Sequence, residues 1–256
     1  MKPSRIVISG ASRGIGEALA RSYAGPGVTL ALIGRDRDRL RTVATACRAR
    51  GADAEEIILD VRERGLLAER LRSFDEVRPV DLVIANAGVA LPSSDDPGED
   101  LSAYGEIDVN LVGALNTALP LVPAMAARGR GQIAFMSSLA AFAPLPSSPG
   151  YSASKAAVLV YGLGIRERLR PAGLRVNVIC PGYVDTEMGE RYRGWRPLAM
   201  SADTAAWRIR HGLDADRAII AFPRRLAFLA RASQLVPEGV RRFGLKAFHF
   251  SIERSV

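Results

Sequence analysis

The sequence predicts an α/β fold: a doubly wound, mostly parallel sheet of six or seven strands with helices on both faces. Three observations lead there. Apolar runs of strand length alternate with longer segments of helical period. Those runs are continuously apolar, the pattern of strands covered on both faces. A glycine-rich turn, Gly10-Ala11-Ser12-Arg13-Gly14-Ile15-Gly16, separates the first run from the first helical segment. Right-handed crossovers between parallel strands then give an open, doubly wound sheet.

Residues 5–9 (RIVIS) read as a short buried strand and 14–24 as a helix. Residues 28–33 (VTLALI) are the second strand. Residues 36–50 make a charged amphipathic helix, closed by Gly51, a residue suited to the left-handed turn beyond a helix end. Residues 54–59 (AEEIIL) are the third strand, with a helix near 63–74. Residues 80–85 (VDLVIA) are the fourth. A Pro-, Ser- and Asp-rich loop over 91–100 precedes a long helix around 101–128. Residues 131–137 (GQIAFMS) are the fifth strand, and 151–170 a helix ended by Pro171 and Gly173. Residues 174–180 (LRVNVIC) are the sixth strand, and 218–222 (AIIAF) can supply a seventh.

With 256 residues, 48% of them hydrophobic, the chain can bury one sizeable core, so a single domain over 1–256 is expected. Cys47 and Cys180 match no metal or disulfide spacing, which points to a reducing cytoplasm. No apolar stretch is expected to span a membrane, and Met1-Lys2-Pro3-Ser4-Arg5 leads straight into a strand, without a signal peptide. The net charge is +8, but its arginines are dispersed, with no aromatic-interleaved basic run or zinc spacing. Nucleic acid is therefore not an expected partner. His211 and His249 lack partners at ligand spacing, so no metal is expected.

In open α/β sheets ligands bind beyond the carboxyl ends of the strands. Gly10, Arg35, Asp60, Asn86, Ser138 and Pro181 each follow or end a strand. Glycines between the first strand and helix allow a tight turn and close approach of backbone to a pyrophosphate, which meets free N–H groups at the helix N-terminus. The second strand ends Ile33-Gly34-Arg35, where adenosine selectivity is set. Arg35 offers a planar fork for a 2′-phosphate, with Arg13 a second candidate, which favours NADP over NAD. Asp36, the next residue, can instead cap the following helix.

Tyr151 and Lys155 lie four residues apart, on one helical face, with Ser138 a further 13 residues upstream of the tyrosine. A free phenol titrates near 10, too high for a base at neutral pH, and a neighbouring ammonium should lower it. Such a set downstream of a dinucleotide loop suggests proton transfer beside a nicotinamide. The 13-residue offset favours Ser138 over adjacent Ser137. Cys180 reads as a buried small hydrophobe.

The whole pattern resembles the short-chain dehydrogenase/reductase family, in its single-domain branch, over residues 4 to about 186. Gly10, Gly14 and Gly16, with Ser12, Arg13 and Ile15 between them, match its cofactor loop. Asp60 and Val61 match the pair that contacts adenine, and Asn86-Ala87-Gly88 the turn after the fourth strand. Asn110, Ser138, Tyr151 and Lys155 match its catalytic residues. Pro181, Gly182, Val184 and Thr186 match the segment over the nicotinamide carboxamide. The resemblance implies a Rossmann-type oxidoreductase that moves a hydride between nicotinamide and a carbonyl or secondary alcohol. Tyr151 would be acid and base, Lys155 would bind the ribose, Ser138 would polarise the carbonyl, and Asn110 would hold a relay water. With NADP, the expected main direction is reduction of a ketone or aldehyde. An NADP-binding regulatory or scaffold protein without turnover is the alternative.

Residues 187–215, with Met188, Arg191, Tyr192, Arg193, Trp195, Arg196, Leu198 and Met200, are expected to form a substrate lid. Its aromatic and basic residues could suit an apolar substrate bearing an anionic group, or the arginines could simply be solvated. The loop 139–150 adds Phe142, Leu145 and three prolines, an apolar and stiff wall. In the tail, 223–256, Leu226, Leu229, Ser233 and Val236 trace one helical face, broken at Pro237-Glu238-Gly239. Phe243, Leu245, Phe248 and Phe250 follow. The tail reads as covering the core or a partner subunit, with peripheral membrane contact as the alternative. A homodimer built on the helices at 101–128 and 151–170, or a homotetramer, is expected.

Overall fold

The computed structural model describes residues 3–92, 101–190, 192–193, 195–236 and 251–252. Seven strands form one sheet: β1 (Arg5–Ser9), β2 (Thr29–Gly34), β3 (Asp53–Ile58), β4 (Leu82–Ala85), β5 (Gly131–Met136), β6 (Leu174–Pro181) and β10 (Ile219–Phe222). Their order is β10-β6-β5-β4-β1-β2-β3, and every pairing is parallel. The strand order reverses between β1 and β4, where Ile6 faces Leu82 and Ile8 faces Ile84. A crevice therefore opens beyond the carboxyl ends of those two strands.

Side chains alternate across the sheet. Ile6 and Ile8 enter one apolar layer with Leu19, Leu30 and Leu40, while Val7 enters the other with Leu67, Leu71 and Phe135. Both faces are thus covered, which is why the strand sequences read as unbroken apolar runs. On the first face lie α1 (Gly14–Tyr23), α2 (Arg37–Arg48) and α9 (Ala202–Asp214). On the second lie α3 (Arg64–Val77), the segment 102–127 and α7 (Pro149–Leu169).

The helix expected over 101–128 is found as one helical run, Ser102–Ala127, but not as a continuous α-helix. It comprises α4 (Ser102–Ile107), a π turn (Asp108–Val112), α5 (Gly113–Ala118), a 3₁₀ turn (Leu119–Leu121) and α6 (Val122–Ala127). Pro120 and Pro123 lack the N–H that a continuous helix needs. The segment Ser102–Ala127 also corrects the expectation about membrane length. Its 26 residues and mean hydropathy of 1.4 meet a span's length and composition. Here, however, Ala114, Ala118, Leu121 and Met125 pack into the second core layer.

Part of the segment expected as a lid, 187–215, belongs to the core. Residues 202–214 are α9, whose Ala205, Ala206, Ile209 and Leu213 belong to the first core layer. Between β6 and α9 come β7 (Val184–Asp185), α8 (Glu187–Glu190), β8 (Tyr192–Arg193) and β9 (Met200–Ser201). The tail continues from β10 into α10 (Arg224–Ala232) and a 3₁₀ turn (Ser233–Leu235). Ser251–Ile252 form β11, antiparallel to β8. The expected break at Pro237-Glu238-Gly239, the tail residues Phe243, Leu245, Phe248 and Phe250, and His249 lie outside the described residues, as do residues 93–100.

Candidate active site

A cleft of ≈ 810 Å³ runs across the carboxyl ends of the central strands. Gly10, Ser12, Arg13, Gly14, Ile15, Arg35, Asp60, Val61, Asn86, Ala87, Gly88, Ser138, Tyr151, Lys155, Pro181, Gly182, Val184 and Thr186 all line it. Of the residues expected from sequence, Gly16 and Asn110 stand behind the wall.

Gly10 and Gly14 have φ of +64° and +58°, the left-handed region that glycine reaches without strain. Gly16 serves packing instead. A Cβ there would sit 2.1 Å from the Gly10 carbonyl oxygen and 2.6 Å from Asn86 Nδ2. Asn86 Nδ2 donates to the Ser9 carbonyl at 2.9 Å and to that of Gly10 at 3.1 Å. The buried Ser9 hydroxyl accepts from the backbone N–H groups of Asn86 and Ala87. The end of β4 is thereby laced to the glycine loop. α2 and α9 have side-chain caps, Asp36 accepting from Arg39 N and Ser201 from Thr204 N. α1 has none, because its N-cap is Arg13. Its first-turn N–H groups and the positive end of its dipole fit the phosphates of a dinucleotide.

Arg35 Nη1 lies 3.2 Å from Asp60 Oδ2, and Arg62 Nη2 lies 2.8 Å from the same oxygen. Hydrogen bonds from Arg62 come first in pulling the Asp60 carboxyl down to about 2, with the charge of Arg35 adding to them. Two further residues at this end escaped the sequence reading. Glu187 bridges Arg13 and Arg39, with 2.6 Å to each guanidinium. Those bonds, Arg39 first, hold its carboxyl down at about 2. Both residues line the cleft. Arg39 sits one helical turn after Arg35, a signal the sequence did contain. Its pairing with Glu187 spans 148 residues, which no local pattern encodes.

At the other end, Pro149 starts α7, so Tyr151 and Lys155 project from its first two turns. The Ser138 hydroxyl stands beside the Tyr151 phenol, and hydrogen bonding from it favours the phenol's ionised form. Ser138 Oγ also accepts from Ala140 N at 3.1 Å. The neighbouring Ser137 hydroxyl is buried and donates to the Lys155 carbonyl at 2.7 Å. The Ser137 hydroxyl is thus engaged with the backbone of α7, and Ser138 is the hydroxyl beside the phenol. Cys180 is fully buried, and burial pushes its thiol up to about 12.

The Tyr151 phenol is shifted up, against the lowering expected beside Lys155. Loss of hydration pushes the phenol up to about 12, despite the Ser138 bond, and the Glu106 charge adds to the rise. Lys155 is lowered to about 8, again by burial first. Its Nζ lies 5.6 Å from the Tyr151 ring centroid and donates to the Met136 carbonyl at 3.0 Å. Desolvation is the largest cause for both groups, raising the phenol and lowering the ammonium.

Asn110, in the π turn, is fully buried. Its Oδ1 accepts from Val89 N at 2.7 Å, and its Nδ2 donates to the Val89 carbonyl and to Ser154 Oγ. A Cβ on Gly88 would fall 3.0 Å from Asn110 Oδ1 and 3.1 Å from Lys155 Nζ. Glycine at 88 therefore keeps the asparagine and the ammonium next to each other.

Beyond Tyr151 the cleft is walled by Leu139, Ala143, Leu145, Tyr183, Met188 and α10. Of the lid residues named from sequence, Met188 takes part, whereas Trp195, Arg196, Leu198 and Met200 do not. Arg196 binds the Gly189 carbonyl at 3.1 Å and lies 3.7 Å from Asp185. The side chains of Arg191, Tyr192 and Arg193 lie outside the described residues. Phe142 belongs to a third apolar cluster behind the wall rather than to the cleft.

A cleft with a glycine-rich turn and a helix N-terminus at one end and a phenol and an ammonium at the other suits a dinucleotide-dependent oxidoreductase. The family description "short chain dehydrogenase" matches residues 4–197, and the chain belongs to that family. It is 34% identical to an uncharacterized oxidoreductase of Myxococcus xanthus, over 90% of this chain and 92% of the relative. It is 32% identical to the ketoacyl reductase HetN of a Nostoc species, over 70% of this chain and 63% of that protein. Among solved structures, a short-chain dehydrogenase from Sphingobium yanoikuyae in complex with NADPH superimposes with a TM-score of 0.78. It is 27% identical and covers 94% of this chain and 95% of its own.

Proposed function

We propose that this oxidoreductase reduces a ketone or aldehyde with NADPH, and that Tyr151 is its proton donor. The observation that carries the reading is that Ser138, Tyr151 and Lys155 line the same cleft as Arg13, Arg35 and Arg39. When bound, the reduced nicotinamide supplies a hydride to the carbonyl carbon. The protein's part is to hold the carbonyl oxygen and protonate it. Ser138 donates to that oxygen and polarises the carbonyl. A phenol held up at about 12 carries its proton throughout the neutral range, so it can give that proton to the oxygen as the alcohol forms. Lys155, with Nζ beside Gly88 and Asn110, holds the ribose hydroxyls at the nicotinamide end. Asn110, whose hydrogen-bonding atoms are bonded to Val89 and Ser154, fixes the backbone of this corner and borders the route by which Tyr151 is reprotonated.

Three arginines at the adenosine end support NADP over NAD. Asp36, the acid placed by sequence to receive a ribose 2′-hydroxyl, is engaged in capping α2. The glycine loop, Asp60 and Val61, Asn86 to Gly88, and Pro181 to Thr186 would complete the cofactor site. The reading includes one domain, a homodimer or a tetramer built from it, and a cytoplasmic setting, in keeping with two buried free thiols. Activity is tested with a panel of carbonyls and alcohols followed at the nicotinamide absorbance, run with NADPH and NADH. Carbonyl-dependent oxidation of NADPH well above that of NADH is the expected result. Preference for NADH, or cofactor binding without turnover on any carbonyl, contradicts the reading.

A further inference from the structure

We infer that the substrate is a neutral, lipophilic ketone whose hydrocarbon body lies along the inner face of α10, an inference that rests on the reductase reading above. The tail is built into the site and is not an appendage. Gly182 N donates to the Phe222 carbonyl at 2.7 Å. A Cβ on Gly182 would meet Pro223 Cδ at 3.0 Å and Leu226 Cδ2 at 3.3 Å. The start of α10 thus touches the strip that borders the cofactor cleft. Its far end is fixed to the segment that follows Ser138. Gln234 Nε2 donates to the Phe142 carbonyl at 2.7 Å, and the Arg231 guanidinium stacks 4.6 Å from the Phe142 ring centroid.

Held at both ends, α10 turns Leu226, Leu229, Ala230, Ser233 and, just beyond it, Val236 toward the cleft. The single hydroxyl in that face, Ser233 Oγ, is satisfied within the helix by the Ala230 carbonyl at 2.7 Å. Charge is segregated along the cleft. Arg13, Arg35, Asp36, Arg39, Asp60 and Glu187 line its dinucleotide end, and Lys155 its centre. Among the described residues, no charged side chain lines it beyond Tyr151. The apolar surface then continues outward through Leu229 and on to Leu235, 60% and 89% exposed. Among the described residues, a polyol or carboxylate would lose its water against this face of α10 without gaining a partner on it. A hydrocarbon chain would gain contact at each carbon. Among the described residues, the anionic group considered from the lid arginines meets no counter-charge in this part of the cleft.

The test uses the full chain with NADPH and the methyl ketones from 2-butanone to 2-dodecanone, with a ketohexose and acetoacetate as polar and anionic probes. Turnover is followed by NADPH oxidation, and ketone affinity by calorimetry on the NADPH complex of Tyr151→Phe. Over the first several carbons kcat/KM and affinity should each rise about 3- to 4-fold per methylene. Leu229→Asp, at an exposed position, should flatten both slopes. A flat or falling series, or better use of the ketohexose or acetoacetate, overturns the inference. Length-dependent binding without turnover on any carbonyl supports the lipophilic site and overturns the reductase reading. Absence of both overturns both.

Discussion

Burial acts on Tyr151 and Lys155 in opposite electrical senses, because it disfavours an anion in one case and a cation in the other. Lys155 is lowered from 10.5 to about 8, with Glu106 and Cys180 opposing the shift. Between those values the unfolded chain holds a proton that the folded chain has released. Stability from this group therefore rises with pH across that window and is lowest below pH 8. In urea titrations of the ligand-free protein, wild type should gain roughly 2–3 kcal/mol relative to Lys155→Met between pH 8 and 10.5. A pH-independent difference contradicts the assignment. At the adenosine end, the carboxylate of Glu187 occupies the two guanidinium groups suited to a phosphate. Glu187→Gln should tighten NADPH binding by about 3- to 10-fold, with little effect on NADH, in fluorescence titrations. Equal effects on both cofactors contradict it. Tyr151, Lys155 and Ser138 were legible because each stands at a fixed offset within one stretch of chain. Glu187 was not, since its role depends on arginines 148 and 174 residues away.

The elements carry the site by close approach. The β1–α1 loop works because Gly16 lets α1 lie against the Gly10 carbonyl and Asn86. Gly16→Ala would force those groups apart, costing about 1–3 kcal/mol and most NADPH affinity. Thermal unfolding and cofactor titration measure the two effects, and an unchanged Tm refutes the packing argument. The expected strands matched those observed to within one or two residues, since each is bounded by glycine, proline or charged residues. The helix over 101–128 was legible as one helical run, but its changes of pitch were not. Its prolines were visible in the sequence, but the π turn around Asn110 was not. That turn exists because Asn110 bonds to Val89 and Ser154 across the fold. The periodic face of the tail was visible too. What it faces was not, because α10 meets Phe142 only after β10 has joined β6.

At the scale of the molecule, parallel strands bring residues from position 10 to position 236 to one cleft, since all seven carboxyl ends point the same way. The same construction leaves Tyr104 on α4 and Val160 on α7 exposed, each 71% accessible. Pairing these helices with a second copy would bury both. Light scattering should find at least twice the 27.5 kDa chain mass, falling toward the monomer in Val160→Asp. A monomeric wild type contradicts that arrangement. The central claim is chemical: Tyr151 delivers the proton during NADPH-dependent reduction. The most direct measurement is single-turnover reduction by wild type and Tyr151→Phe, with NADPH binding measured in parallel. A rate loss of about 10²–10⁴ with cofactor affinity retained is the result predicted. Near-native turnover by Tyr151→Phe would contradict the account.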